Sequence, residues 1–389
     1  MFERIEAEFA SRLGRECLYV PSNRFGLFIA LRHWMSPGQR LLMSAISPDE
    51  ILFLVLAAGL RPVIAPTNPR NGNIDTRAVD GLRFDGVLST HLYGLPDDII
   101  ALGGMCAQRG IPLIEDAAHA MQTTVMGVPV GAFGDAGVFS LSKHPGAAPG
   151  GIVAMAQPDD RPALQALRTR WLSRRFPLAE LGVMAKMIAR NAVSATALSG
   201  PAWWLAQALG LNERREGHRI ALRRMALAPR LAVGGMECPG LDALDAWVCA
   251  DNHRYRMRQG SLIEAYGLRR MKTLEAQRGR RLAGVHRLAE LKTVAPAVLE
   301  QLEQPLFRVP LLVEDRERAI RKLRRHGVIV GYVYDPPFDE YAPGLTEASP
   351  APETSRWWAR HVLPIDPLRA ERALPILAKL SPPSLHDVT

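Results

Sequence analysis

Cysteine is scarce in this chain and forms no pattern. Its four copies, Cys17, Cys106, Cys238 and Cys249, are scattered over 389 residues with no CxxC pair and no cysteine–histidine cluster. That speaks against a structural zinc site or a disulfide framework and fits a reducing compartment. No apolar run approaches the roughly 18–20 residues that a membrane span requires. The opening segment, Met1-Phe2-Glu3-Arg4-Ile5-Glu6, shows neither the basic start nor the apolar stretch of a secretory leader. A cytoplasmic protein is the expectation. Acidic side chains are missing from one region: residues 161–230 hold three glutamates against thirteen arginines and lysines, in a chain whose net charge is +9. A local basic segment points to an anionic partner such as a nucleotide diphosphate or a lipid headgroup. Nucleic acid is not expected, because the basic residues are not interleaved with a reading motif.

Strand-like and helix-like runs alternate through the first 156 residues. Helices are expected over 25–36, 49–58 and 97–109, and strands over 40–44, 62–65, 86–91, 111–115, 136–141 and 151–156. This alternation predicts a largely parallel sheet covered on both faces, with ligands at the carboxyl ends of the strands. Residues 160–235 break the pattern and read as helices rich in Arg, Ala, Leu, Met and Trp. Residues 243–290 read as helical. Strand and helix return at 307–313, 315–326 and 327–330. The length predicts two domains: residues 1–240 as a large α/β domain carrying the basic helical insertion, and residues 241–389 as a smaller α+β domain with a linking helix.

Chemistry concentrates where two of these strands end. Leu113-Ile114-Glu115-Asp116-Ala117-Ala118-His119 closes an apolar run with a carboxylate, and Phe139-Ser140-Leu141-Ser142-Lys143 closes another with an amine. Charged groups at buried strand ends are expensive to desolvate without a partner or a task. A carboxylate that keeps a pyridine nitrogen protonated and a lysine that attaches pyridoxal phosphate form one chemistry that needs both.

With Gly131-Ala132-Phe133-Gly134-Asp135-Ala136-Gly137-Val138 between them and Gly150-Gly151 after them, these segments resemble the core of the DegT/DnrJ/EryC1/StrS aminotransferases. The resemblance extends over most of the chain, with a divergent middle. It implies a fold-type I pyridoxal phosphate enzyme, in which a mostly parallel mixed sheet lies between helices and a small α+β domain follows. It further implies transfer of an amino group from glutamate or glutamine to a nucleotide-linked keto-sugar, for a polysaccharide or a secondary metabolite.

The resemblance assigns roles residue by residue. Lys143 is the Schiff-base lysine and proton shuttle, and Asp116 faces the ring nitrogen. His119 stands beside the ring and its phenolic oxygen, and Ser140 is a phosphate ligand, with Ser142 as an alternative. Ser22-Asn23-Arg24 matches a phosphate loop written Ser-Gly-Thr in the family, with Asn23 and Arg24 as departures. The interval from Ser140 to Lys143 is two residues shorter than usual. The acidic residue common before the glycine pair is Pro149 here. The family's ring-stacking aromatic is replaced by Ile46-Ser47-Pro48. Asn252-His253-Arg254-Tyr255-Arg256-Met257 is similar to a segment whose asparagine reaches the cofactor phosphate of a neighbouring subunit. Asn252 or Arg254 would serve, and the active unit would be a homodimer with a shared site. Tyr332 and Tyr334 are candidates for the substrate mouth.

Two other readings remain open at this point. Some relatives are dehydratases with histidine in place of the lysine, and His144 adjoins Lys143. The departures would also suit a non-catalytic regulator or scaffold. Trp171 and Trp203-Trp204 among the basic residues of 160–230 would suit peripheral membrane contact. A helical cover or a dimer contact is the alternative.

Overall fold

The computed structural model of the chain describes residues 2–144, 150–194, 219, 239–248 and 254–384. Helix α1 (Glu3–Leu13) ends at Gly14, whose left-handed backbone (φ 65°) closes the last turn onto Ala10. Strand β1 (Glu16–Val20) leads through Ser22 into α2 (Asn23–Trp34). Then follow β2 (Arg40–Ser44), α3 (Asp49–Ala57), β3 (Arg61–Ala65), β4 (Gly86–Thr90), α4 (Ile99–Arg109) and β5 (Leu113–Asp116). A short hairpin, β6 (Thr124–Val125) and β7 (Val128–Pro129), precedes β8 (Ala136–Ser140) and β9 (Gly151–Met155).

Seven of these strands form one sheet in the order β1-β9-β8-β5-β4-β2-β3. Only β9 runs against the rest, pairing antiparallel with both β1 and β8. The parallel strands therefore all end at one edge. Register places Asp116 beside Thr90 on one side and Val138 on the other. The turn from β1 into α2 and the start of β9 reach the same edge.

The strands alternate two apolar faces. Leu18, Val20, Leu41, Met43, Ala136 and Val138 pack under α2 and α3. Cys17, Tyr19, Phe139 and Ile152 pack under α1, while Leu42, Val63 and Val87 pack under α4. Burial on both faces explains why these segments read as continuous apolar runs rather than alternating ones. Gly26 lets α2 lie close on the sheet, since a Cβ there would come within 2.8 Å of Val138.

Beyond the sheet come α5 (Arg161–Trp171), α6 (Pro177–Ser194), α7 (Gly240–Val248) and the long α8 (Ser261–Ala289). Trp247 of α7 is fully buried against Phe53 of α3. Burial of such a side chain is worth about 3 kcal/mol. The continuous helix expected over 243–290 is interrupted instead: residues 254–260 are non-helical, and Met257 bridges to Ser173. A second sheet joins β10 (Val309–Leu312) to β11 (Val362–Ile365). Helix α9 (Arg316–Arg325) matches expectation, but residues 328–330 are not a strand. Val328 and Val330 are buried there outside any strand. Helices α10 (Phe338–Tyr341), α11 (Pro352–His361) and α12 (Ala370–Leu377) complete the described chain.

Candidate active site

The site is built at the carboxyl edge of the large sheet. Asp116, the last residue of β5, is buried, and its Oδ1 accepts from Ala118 N–H (3.1 Å) and from Asn23 Nδ2 (3.0 Å). Burial pushes its carboxyl above the usual carboxylate range, although both donors oppose the shift. A cation placed at its other oxygen would reverse that balance.

His119 follows three residues later. Its Nδ1 accepts from Tyr93 N–H (3.4 Å), so Nε2 carries the hydrogen and is the ring's donor. Burial first, and the neighbouring positive charge of Lys143 and Arg308 after it, hold its pKa well below the ordinary value. The imidazole is thus neutral. Lys143 lies beyond the end of β8, half-buried, with Nζ 4.2 Å from the centre of the Tyr332 ring.

Residues distant in the sequence roof this edge. Phe307 stacks on His119 at 4.6 Å, and Tyr332 meets both rings edge-on, at 5.2 Å from His119 and 5.0 Å from Phe307. The Arg308 guanidinium lies 4.2 Å from the centre of the Phe307 ring and pairs with Asp366 at 3.1 Å. Tyr332 has a left-handed backbone (φ 66°), uncommon for a bulky residue. Its carbonyl is pinned by the Tyr93 hydroxyl at 2.9 Å. Sequence reading raised Tyr332 for the substrate mouth but missed Phe307 and Arg308. A lone arginine inside the apolar run 306–313 was the signal available.

The loop from β1 into α2 is placed at the same edge. Ser22 caps α2, its hydroxyl accepting from Phe25 N–H (3.1 Å) and donating to Tyr255 carbonyl (2.7 Å). The Asn23 side chain turns to Asp116. Arg24 turns away, donating to the Val248 carbonyl (2.6 Å) and lying 3.5 Å from Glu50. A Cβ on Gly151 would fall 2.7 Å from Asn23 N, so only glycine lets β9 support this helix start so closely. Ser140 and Ser142 hydroxyls face each other at 3.1 Å. Arg254 is exposed, with its guanidinium 5.0 Å from the centre of the Phe176 ring. Asn252 and Pro149 lie outside the described residues.

His144 is placed differently from Lys143. Its Nε2 donates to the His119 carbonyl (2.6 Å), and burial, followed by Arg281, lowers its pKa to about 3. It is a neutral strut behind the site. Deeper still, His91 Nδ1 accepts from Asp97 N–H (3.1 Å), which leaves Nε2–H for Glu115 at 3.0 Å. Glu115 also accepts from the N–H groups of Gly131, Phe133 and Gly134. Burial raises the Glu115 pKa, but the His91 and backbone bonds outweigh it, for a net value below the ordinary one. Glu115 ties the Gly131–Gly134 turn to the sheet under the site.

The chain belongs to the DegT/DnrJ/EryC1/StrS aminotransferase family, whose model matches residues 1–204. One curated relative is the dTDP-4-dehydro-2,3,6-trideoxy-D-glucose 4-aminotransferase of Saccharopolyspora spinosa, 31% identical over 144 residues, 35% of this chain and 37% of that protein. The chain thus spans well under two thirds of that relative's length. Among solved structures, E coli GDP-4-keto-6-deoxy-D-mannose-3-dehydratase with bound hydrated PLP superimposes with a TM-score of 0.67 at 14% identity, covering 98% of this chain and 91% of that one. The aminotransferase TlmJ from Streptoalloteichus hindustanus gives 0.66 at 19% identity, covering 97% and 88%. The fold is therefore that of the fold-type I pyridoxal phosphate enzymes.

Proposed function

We propose that this chain is a pyridoxal phosphate-dependent aminotransferase. It would pass an amino group from glutamate or glutamine to a nucleotide-linked keto-sugar for polysaccharide or secondary-metabolite synthesis. The observation that carries the reading is the placement of Asp116, His119 and Lys143 together at the carboxyl ends of adjacent parallel strands β5 and β8. The names of the relatives support the donor and sugar classes. The residues fit the cofactor. Asp116 Oδ2 has no donor among the described residues, the amine of Lys143 faces an aromatic wall, and Ser140 and Ser142 offer hydroxyls at the start of the following loop.

When bound, pyridoxal phosphate supplies the electron withdrawal that lets a C–H bond beside nitrogen ionise. Asp116 would hold the ring nitrogen protonated through Oδ2, and the cation there would return the carboxyl to its charged form. Neutral His119 would donate from Nε2 to the phenolic oxygen. Lys143 would hold the cofactor covalently, then carry the proton between donor carbon and cofactor as a single base. Phe307 and Tyr332 would cover the site against water. Ser140, Ser142, Ser22 and the start of α2 would take the phosphate. Asn252 or Arg254 would reach a partner subunit's phosphate in a homodimer.

The dehydratase reading is disfavoured because His144 spends its N–H on the His119 carbonyl. The scaffold reading is disfavoured because Asp116 is held in costly burial with Lys143 beside it at the same sheet edge. We also propose that α6 rests on an anionic membrane surface, since Phe176, Leu178, Leu181 and Ile188 are exposed in the basic segment.

The test is cofactor capture by wild type and Lys143→Ala. Wild type should develop a visible absorption band with pyridoxal phosphate, and borohydride should fix a cofactor adduct on the Lys143 peptide by mass spectrometry. The variant should show neither. A wild-type protein that takes up no cofactor at saturation sinks the proposal and favours the scaffold.

A further inference from the structure

We propose that Asn23 is a positioning residue that sets the orientation and charge state of Asp116, an inference that rests on the pyridoxal phosphate reading of the site. Asn23 is the first residue of α2 and is buried. Its amide nitrogen donates to Asp116 Oδ1 at 3.0 Å and to the Val138 carbonyl at 3.1 Å. Both partners are acceptors, so the amide can present only its nitrogen to them, and its two hydrogens are both spent. With Ala118 N–H at 3.1 Å, Oδ1 receives two donors. Oδ2 receives none among the described residues. The carboxylate is thereby clamped from two directions, its own loop through Ala118 and the start of α2 through Asn23, whose amide is itself held by the Val138 carbonyl of β8. Its rotation is stopped with Oδ2 as the open oxygen.

The consequence is chemical as well as geometric. Hydrogen bonds to a carboxylate favour its charged form, and burial disfavours it. Asp116 must be charged to meet a protonated ring nitrogen. A glycine at position 23, as in the family's loop, has no side chain to offer. The departure at this position therefore supplies a donor to the carboxylate.

The test compares two probes: pyridoxal phosphate and its 1-deaza analogue, in which carbon replaces the ring nitrogen. Dissociation constants are measured by fluorescence quenching for wild type, Asn23→Ala and Asn23→Gly. Removing a hydrogen bond to a charged group should weaken pyridoxal phosphate about tenfold in both variants and leave the analogue within about twofold. In an Asp116→Asn background the Asn23→Ala change should no longer discriminate between the probes. Equal weakening of both probes would show a merely structural role and overturn the inference. Tighter binding by the variants would show that Asn23 obstructs the ring, and would also overturn it. A wild type that binds neither probe defeats the cofactor reading itself, a result separable from the others because it needs no variant.

Discussion

Asp97 sits one layer behind the site, fully buried, and shows how a single group ties stability to pH. Its Oδ2 accepts from Ser89 Oγ at 3.0 Å and its Oδ1 from Asp98 N–H at 3.0 Å. Burial nevertheless pushes its carboxyl from 3.8 up to about 6, with His91 and the hydrogen bonds opposing. An acid whose folded pKa lies above its unfolded one binds more protons folded than unfolded. Stability from Asp97 is therefore full below about 3.8 and lost as pH rises through about 6. A shift of this size corresponds to roughly 3 kcal/mol. Asp97→Asn keeps one acceptor and removes the buried charge. It should stabilise the protein by about 1–2 kcal/mol near neutral pH and flatten its stability profile across the acid limb. Denaturant midpoints for both proteins over that pH range check it, and an Asn variant with the wild-type slope would refute the assignment. At this scale the sequence was partly legible. Asp116 and Lys143 could be found because a charge ending an apolar run is conspicuous. Asn23 could be placed beside the site but not aimed, because nothing local says that its amide turns to a residue 93 positions away.

At the scale of elements, the parallel strands and the helices between them were readable because each buries both faces or one stripe, giving long apolar runs bounded by turns. Strands β1 and β11 were not. Strand β1, with Glu16 at its head, reads as little more than a helix exit, and β11 carries Pro364 in a four-residue run. Both owe their state to pairing with distant partners, Gly151–Met155 and Val309–Leu312. The insertion is recognisable by its departure from the alternation, and α5, α6 and Arg219 lie in it. Leu178 is 86% exposed and Leu181 51%. Helices that bury an apolar stripe in lipid beside basic residues bind anionic surfaces. The chain should float with vesicles containing an anionic lipid, and less with zwitterionic ones. Leu178→Glu with Leu181→Glu should weaken that binding more than about tenfold, since each leucine lost forfeits about 1.5–3 kcal/mol of burial. Substitution at such exposed positions leaves the fold and cofactor uptake intact. Wild type that stays unbound to anionic vesicles would end the membrane proposal and leave a protein contact as the role of α6.

For the molecule as a whole, the question is what joins the large sheet to the C-terminal elements where the site opens. Arg219, from the middle of the basic segment, is buried and answers part of it. It pairs with Asp49 at 2.6 Å, donates to the Ser47 carbonyl at 3.0 Å and hydrogen-bonds the Pro336 carbonyl. Its guanidinium lies over the rings of Phe338 and Tyr341, at 4.3 and 5.1 Å. Ser47 belongs to the loop after β2, where the family's stacking aromatic would be expected, Asp49 to the start of α3, and Pro336, Phe338 and Tyr341 to the C-terminal part. One guanidinium therefore fastens the loop after β2 to the segment just past Tyr332. Breaking a buried ion pair by removing one partner costs about 3–5 kcal/mol. Here Asp49 starts α3, and the helix dipole offsets part of the exposed charge. Arg219→Ala should therefore destabilise the protein by about 2–4 kcal/mol. Arg219→Lys should recover only part of that, because an ammonium cannot hold three oxygens while lying flat on two rings. The same loss should weaken cofactor uptake, since the fastened segment adjoins Tyr332, whose ring faces Lys143. Thermal denaturation with and without pyridoxal phosphate separates the two effects: a variant that loses stability but keeps the full ligand-induced rise would show that the fastening is structural and stops short of the site.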